Sequence, residues 1–233
     1  MISFVVPAYN EERFLGPTLE ALHAAASEAG QPYELIVVDD GSTDRTAEMA
    51  RAQGARVVSV RFRQISRTRN AGAAVASGDP LIFVDADTIV PTPTLRAALD
   101  ALRSGAAGGG AEVVLDGHVP WWAEWTVAAI GGVMRACRLA AGCYIFCSRA
   151  AFDAAGGFDE TLFAAEELAF SRHLARQGRV VILRESVTSS GRKIRTHGWR
   201  ELFRLAATFA RRGTGALRSR EDLALWYDGR RDG

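Results

Sequence analysis

Residues 80–88 read PLIFVDADT and predict a buried strand that ends in a ligand site. The four apolar residues 81–84 are typical of a short strand covered on both faces of a sheet. The strand stops at two carboxylates, Asp85 and Asp87, and open α/β sheets bind ligands at the carboxyl ends of such strands. A turn at Thr88 would bring both carboxylates to one crevice, where hard oxygen ligands suit Mg²⁺ or Mn²⁺. The alternative is a pair of solvated acids in a turn.

The overall composition is that of a soluble globular protein. The 233 residues are 48% hydrophobic and 24% charged, with a formal net charge of +1. So small a net charge gives no case for bulk nucleic-acid binding. The three cysteines have no metal-binding spacing, and their odd number makes reduced thiols in a cytosolic protein the default. Because we find no signal peptide and no apolar run of about 18 residues, we expect no membrane span.

Strands and helices alternate over residues 1–90. Strands are predicted at 2–6, 34–38, 56–60 and 81–84. Helices are predicted between them: the first from a cap at Asn10 to about Gly30, the second from a cap at Ser42 or Thr43 to Gly54, and the third over 67–77. This order predicts a parallel sheet with right-handed crossovers and helices on both faces.

Three of these four strands end in polar clusters. The clusters are Tyr-Asn-Glu at 9–11, Asp-Asp at 39–40 and Asp-Ala-Asp at 85–87. The carboxyl ends of parallel strands lie along one edge of a sheet, so the clusters are expected to converge. This convergence favours a ligand site over three unrelated solvated turns.

Beyond Pro91 the alternation is less regular. Helices are predicted at 94–104, 121–139, 152–158 and 166–177, and strands at 111–115, 142–147 and 180–183. The glycine-rich residues 105–110 are expected to form a flexible or close-packed joint. We interpret residues 1–213 as one domain, followed by a loosely ordered tail at 214–233.

Two common phosphate-binding motifs are missing from the sequence. No Gly-x-Gly-x-x-Gly follows the first strand, and no Gly-x-x-x-x-Gly-Lys-Ser/Thr is present. This argues against a dinucleotide-dependent oxidoreductase and a P-loop nucleotidase. Asp39 and Asp40 are suited to accept hydrogen bonds from a base or a ribose, although Asp39 is also suited to cap the following helix.

Several motifs in a fixed order resemble a known family. They are VVPAYNEE at 5–12, VVDDGSTD at 37–44, RNAG at 69–72 and VDAD at 84–87. Together they resemble the nucleotide-sugar half of a family 2 glycosyltransferase with the GT-A fold, and GGFDE at 156–160 with AEEL at 165–168 is similar to its acceptor half. The resemblance covers roughly residues 1–184. It implies a Rossmann-like, mostly parallel α/β sheet flanked by helices, in which 1–90 bind the nucleotide sugar and 91–213 form a smaller acceptor side.

The resemblance also implies an inverting transferase that uses a nucleoside-diphosphate sugar and a divalent cation, Mn²⁺ or Mg²⁺. Tyr9 is expected to pack against the base, and Asp40 to recognise its edge. Asp87 is expected to bind the metal under the diphosphate, and Asp85 to contact the ribose or the metal. The other positions that match the donor site are Pro7, Ala8, Glu11, Asp39, Arg69, Ala86 and Gly142.

Arg69 and two glutamates complete the expected chemistry. A guanidinium is a good bidentate partner for phosphate, and the alternative for Arg69 is an arginine on a helix surface. In the family the general base is the second acid of a Glu-Asp pair, whereas this chain has Glu166 and Glu167. The resemblance therefore implies that Glu167 is the base, although the choice between the two stays open. The alternative is favourable negative charge at a helix N-terminus.

The last informative stretch, SSGRKIRTH at 189–197, is rich in donors and cations. Arg192 and Lys193 are expected to bind the diphosphate. His197 is expected either to complete the metal ligands or to lie in solvent. Residues 199–212 resemble a basic amphipathic helix, which would lie on an anionic membrane or pack against the domain. We therefore expect a cytoplasmic protein, which is either free or in peripheral contact with the inner membrane surface.

Two other functions remain open on the sequence. A sugar-phosphate nucleotidyltransferase would need a glycine-rich loop after the first strand, and residues 7–10 supply none. A non-catalytic nucleotide-sugar-binding protein is kept open by the Glu-Glu pair. The sequence does not indicate which nucleotide base the donor carries or which acceptor is used.

Overall fold

The computed structural model describes residues 1–117, 121–140 and 142–192. The strands are β1 (Ile2–Ala8), β2 (Tyr33–Asp39), β3 (Arg56–Ser59), β4 (Leu81–Val84), β5 (Thr88–Ile89), β6 (Ala106–Leu115), β7 (Tyr144–Cys147) and β8 (Arg179–Ser189). The helices are α1 (Leu15–Glu28), α2 (Thr46–Ala52), α3 (Ile65–Val75), α4 (Thr92–Arg103), α5 (Trp121–Cys137), α6 (Arg149–Ala155) and α7 (Glu166–Gln177). All eight of these strands form one sheet, in the order β3-β2-β1-β4-β7-β6-β8-β5.

The first half of the chain has the predicted parallel arrangement. β2 and β4 pair with β1 in parallel on its two sides, and β3 continues the parallel sheet beyond β2. In this register Ala8 lies beside Asp39 at the carboxyl end of the two central strands. The polar residues that follow the strands therefore emerge at one edge, as the sequence predicts.

The predicted caps of the first two helices are wrong. Helix α1 begins at Leu15 and α2 at Thr46, each several residues later than expected. Asn10, at φ 52°, instead accepts a hydrogen bond from the Thr43 N–H, and its own N–H donates to Ser42 Oγ. The loops after β1 and β2 thus use their polar side chains to bind each other.

The second half of the sheet has antiparallel pairings. β7 lies antiparallel to both β4 and β6, and β8 runs parallel to β6 as far as Ser189, beyond the predicted end at 183. Of the two alternatives predicted for the glycine-rich joint, flexible or close-packed, the second is confirmed, since residues 106–110 are part of β6. A Cβ at Gly109 would lie 1.9 Å from the Val181 carbonyl oxygen, so only glycine permits this spacing.

The sheet is covered on both faces, because alternate residues of the central strands enter two separate apolar layers. Phe4 and Val6 of β1 belong to the layer that includes α1 and α4. Val5 belongs to the opposite layer, which includes Phe83, Phe158 and Phe170. Every residue of β1 and β4 is buried, as expected for a sheet with helices on both faces.

The loop before α7 is held against α3. Gln64 Nε2 donates to the carbonyl oxygens of Glu160 at 2.6 Å and Leu162 at 3.0 Å. Asn70 Oδ1 accepts the Phe158 N–H at 2.9 Å, and Asn70 Nδ2 donates to the Phe158 carbonyl at the same distance. These bonds place the beginning of α7 next to α3, and so next to the carboxyl edge of the parallel strands.

Several predictions fall outside the described residues. They concern Lys193, His197, the amphipathic helix at 199–212 and the tail at 214–233. Among the helices that the structure describes, none is both long and apolar enough to cross a membrane.

Candidate functional site

The turn after β4 positions the two aspartates. The Thr88 N–H donates to the Asp85 carbonyl at 3.1 Å, and the Asp85 N–H donates to the Cys143 carbonyl at 3.0 Å. The predicted turn at Thr88 is therefore confirmed. Gly142, at φ 96°, directly precedes this contact and has a backbone conformation that glycine adopts readily. The turn attaches the carboxyl end of β4 to the segment that leads into β7.

Arg69 is the centre of a buried cluster of charges. Its Nη2 donates to Asp85 Oδ1 at 2.9 Å, and its Nη1 donates to Glu166 Oε1 at 3.0 Å and to Glu167 Oε1 at 3.2 Å. The Arg69 side chain is 1% exposed, so the alternative of a surface arginine is wrong. Burial alone would lower the pKa of Arg69, but the three carboxylates outweigh burial and raise it. Arg69 thus joins the aspartate of β4 to the glutamates of α7.

Glu166 and Glu167 have different environments although they are adjacent. The side chain of Glu166 is 3% exposed and that of Glu167 is 17% exposed. Burial, together with the charge of Glu167, raises the pKa of Glu166, and Arg69 opposes this shift only in part. Glu166 therefore retains a proton more readily, and Glu167 is the carboxylate that faces solvent.

A second arginine holds the other aspartate. Arg192 makes two bonds of 2.7 Å to Glu11, from Nη1 to Oε2 and from Nη2 to Oε1. Arg192 Nη2 also lies 3.1 Å from Asp87 Oδ2, and the guanidinium lies over the Phe14 ring at 4.7 Å. The end of β8 is thereby attached to the loop after β1.

Asp39 and Asp40 accept hydrogen bonds within the protein. Asp39 Oδ1 accepts the Ser42 N–H at 3.1 Å, which closes the turn after β2. Asp40 accepts the N–H groups of Phe62 at 2.5 Å and Gln64 at 3.2 Å, and the Thr68 hydroxyl at 3.1 Å. Asp40 therefore shapes the loop between β3 and α3.

Tyr9 lies at the same edge, and Arg63 covers its ring. The Arg63 guanidinium carbon is 3.5 Å from the centre of the Tyr9 ring, a close cation–π contact. Arg63 is the residue that the sequence reasoning missed, and its positive φ of 51° appears only in the structure. The one available signal was the concentration of arginines in RFRQISRTR at 61–69.

The other residues predicted for the donor site lie in β1 and in the turn after β4. Pro7 and Ala8 form the last part of β1, buried between β2 and β4. Ala86 is buried, and its carbonyl accepts the Thr18 hydroxyl of α1 at 3.0 Å. The bond from Thr18 attaches the turn after β4 to α1.

The cluster formed by Arg69, Arg192 and their carboxylate partners suits a divalent cation that is also bound by other ligands. Within the described ranges, no group of three or more His, Cys, Asp or Glu side chains is arranged to hold a metal alone. Five carboxylates surround the two guanidinium groups of Arg69 and Arg192, so the cluster has a net negative charge. Asp85 and Asp87 supply hard oxygen donors, which suit a Mg²⁺ or Mn²⁺ that is also bound by phosphates and water.

Comparison with known proteins identifies the family. The sequence model described as Glycosyl transferase family 2 matches residues 3–152. An undecaprenyl-phosphate 4-deoxy-4-formamido-L-arabinose transferase from Edwardsiella ictaluri is 35% identical over 111 residues, which are 45% of this chain and 34% of that protein. The enzyme of that name from Serratia proteamaculans is 40% identical over 93 residues, 37% of this chain and 28% of the relative. The match thus spans about a third of these relatives' length.

Solved structures confirm the GT-A fold. S. aureus TarS 1-349 in complex with UDP-GlcNAc superposes with a TM-score of 0.64 at 18% identity, over 97% of this chain and 78% of that one. The mannosyltransferase PcManGT from Pyrobaculum calidifontis, in complex with GDP-Man and Mn²⁺, has a TM-score of 0.66 at 18% identity, over 89% of this chain and 60% of that one. With the family model covering more than half of its residues, the chain belongs to glycosyl transferase family 2.

Proposed function

We propose that this protein is an inverting glycosyltransferase that moves a sugar from a nucleoside-diphosphate sugar to an acceptor hydroxyl or phosphate. In this proposal Asp87 and Asp85 bind a divalent cation and Glu167 is the general base. Family membership and fold support the reaction class. The names of the relatives support a polyprenyl phosphate as the acceptor class.

The observation that carries the proposal is the set of contacts around Arg69. Its guanidinium binds Asp85, from the predicted nucleotide-sugar half, and Glu166 and Glu167, from the predicted acceptor half. A reacting sugar over Arg69 would have the leaving diphosphate towards Asp85 and a carboxylate towards Glu167. Inverting transfer requires that arrangement, because attack and departure occur on opposite faces of the anomeric carbon.

In the proposed reaction, each charged residue of the cluster has its own role. Glu167 accepts the proton of the acceptor hydroxyl as its oxygen attacks the anomeric carbon and the bond to the diphosphate breaks. Arg69 holds Glu167 in place through a contact of 3.2 Å. A cation bound at Asp85 and Asp87 would supply Lewis-acid stabilisation of the departing diphosphate. Glu166, the more buried acid, helps to hold Arg69.

The test separates donor binding from transfer. We expect Asp87→Ala to lose metal-dependent binding of UDP- or GDP-sugars in calorimetry. We expect Glu167→Gln to bind donor normally and to release nucleotide about 10²- to 10⁴-fold more slowly with water or a hydroxyl acceptor. Glu48→Gln and Asp100→Ala, both exposed and distant from the cluster, are the matched controls. Full activity of both site variants would disprove the assignment.

The same Glu167 variant distinguishes the two acceptor classes. A phosphate monoester is already largely ionised at neutral pH, so its oxygen needs little help from a base. With a polyprenyl phosphate acceptor, Glu167→Gln should therefore lose much less activity than with a hydroxyl acceptor. An equal loss with both acceptors would show that Glu167 acts on something other than the acceptor proton.

A further inference from the structure

We propose that Arg192 is an internal counter-cation of Asp87, and that the arginine and the divalent metal compete for this carboxylate. The inference rests on the metal site of the proposed function and adds a competing group within the chain. The sequence predicts that Arg192 binds the diphosphate, whereas in the structure Arg192 pairs with two carboxylates.

The geometry of Arg192 carries the inference. Its guanidinium makes a two-bond pair with Glu11, and the same Nη2 that binds Glu11 Oε1 lies 3.1 Å from Asp87 Oδ2. The side chain of Asp87 is 12% exposed, so its charge is partly removed from water and has to be compensated nearby. Arg192 provides this compensation in the metal-free protein.

A cation bound to Asp87 would repel Arg192, because both groups are positively charged and lie against the same partly buried carboxylate. The pair with Glu11 keeps Arg192 in place after it leaves Asp87, since this pair has its own two hydrogen bonds. Nη2 keeps its bond to Glu11. The N–H that leaves Asp87 can then donate to the diphosphate that accompanies the metal. The contact with Asp87 and the expected contact with phosphate are thus two states of one side chain.

The experiment measures Mn²⁺ binding to the nucleotide-free protein, from the electron paramagnetic resonance signal of free Mn²⁺. We expect Arg192→Gln to bind Mn²⁺ about tenfold more tightly than the wild type, because the competing charge is gone. Arg67→Gln is the matched control. Arg67 lies on α3 and is exposed, and its pair with Glu160 lies outside the cluster. Its loss should change the dissociation constant by less than about twofold.

The outcomes separate this inference from the proposed function. Unchanged or weaker Mn²⁺ binding by Arg192→Gln, with binding lost in Asp87→Ala, would overturn the competition and leave the metal site intact. Equal tightening in Arg67→Gln would also overturn it, because a general charge effect would then explain the result. No Mn²⁺ binding by any of the proteins, either alone or in the presence of UDP or GDP, would overturn both the competition and the metal site.

A second measurement uses the wild-type protein, in case Arg192→Gln does not fold. The side-chain N–H signal of Arg192 can be assigned in ¹⁵N spectra by its loss in Arg192→Lys. Titration with diamagnetic Mg²⁺ should shift this signal as Arg192 leaves Asp87, whereas the Arg67 signal should stay in place. An unshifted Arg192 signal at saturating Mg²⁺ would overturn the proposal.

Discussion

Glu166 and Glu167 are neighbours in the chain, yet only one of them faces solvent. Burial makes the charged form of Glu166 unfavourable, and the negative charge of Glu167 adds to this effect. The neutral form of Glu166 is therefore favoured in the folded protein more than in the unfolded chain. A group of this kind contributes stability at pH values below its unfolded pKa, and the contribution is lost as pH rises through its raised folded pKa.

Glu166→Gln should remove this pH dependence, because glutamine is neutral at every pH. We expect the free energy of unfolding of the wild type to fall relative to that of Glu166→Gln as the pH rises from about 5 through the raised folded pKa of about 8. Urea denaturation between about pH 5 and pH 9 measures this difference. Glu48→Gln, which changes an exposed glutamate of α2, is the control. A constant difference between wild type and Glu166→Gln would contradict the raised pKa.

Helix α3 presents Arg69 to the cluster because the helix packs very closely on the sheet. A Cβ on Gly72 would lie 2.3 Å from Val5 Cγ1 and 2.9 Å from Val38 Cγ2, so the helix backbone rests directly on β1 and β2. Gly72 is one turn after Arg69 on the same helix. In the motif RNAG at 69–72, Gly72 therefore sets how closely α3 packs on the sheet, and this packing positions Arg69 in the cluster.

Gly72→Ala should push α3 away from the sheet and displace Arg69. We expect a loss of about 1–3 kcal/mol in the free energy of unfolding, together with slower sugar transfer. Denaturant titration and the nucleotide-release assay measure the two effects. Gly132→Ala is a useful comparison, because Gly132 is an exposed residue of α5 where a Cβ would meet nothing within 4 Å. Gly132→Ala should leave the free energy of unfolding unchanged or raise it slightly, because alanine has a higher helix propensity than glycine. Equal losses of stability in Gly72→Ala and Gly132→Ala would contradict the packing argument.

Across the whole molecule, one continuous sheet joins the predicted nucleotide half to the predicted acceptor half. β7, from the second half, lies beside β4 of the first. The aromatic residues Phe83 of β4, Phe152 of α6 and Phe158 of the following loop pack together, with ring centres 5.0 to 6.2 Å apart. This aromatic layer is buried only when residues 1–90 and the later part of the chain pack together.

The two halves should therefore unfold as one cooperative unit. Native-state hydrogen exchange should give the slowest amides of β1 and β2 the same opening free energy as those of β6 and β7, to within about 1 kcal/mol. If the two groups of amides differed by more than about 2 kcal/mol, the halves would be separate folding units. Amides of α2 and its flanking loops provide an internal reference for local opening.

The sequence by itself determined the alternating elements of residues 1–90 and the edge at which the carboxylates emerge. Both follow from local patterns: the apolar runs define strands, and the strands of a parallel sheet end along one edge. The same local reasoning placed Asn10, and Ser42 or Thr43, as helix caps and was wrong, since it could not foresee that Asn10 would bind both of these residues from more than 30 positions away.

Only the tertiary structure decided which charges meet. Arg69 binds Glu166 across 97 positions, and Arg192 binds Glu11 across 181. Such pairs depend on where the sheet brings distant segments together and on which side chains lose water there, and no local spacing encodes either. The sequence thus placed Asp85 and Asp87 at the carboxyl edge of the sheet, and the fold supplied the arginine that holds each of them.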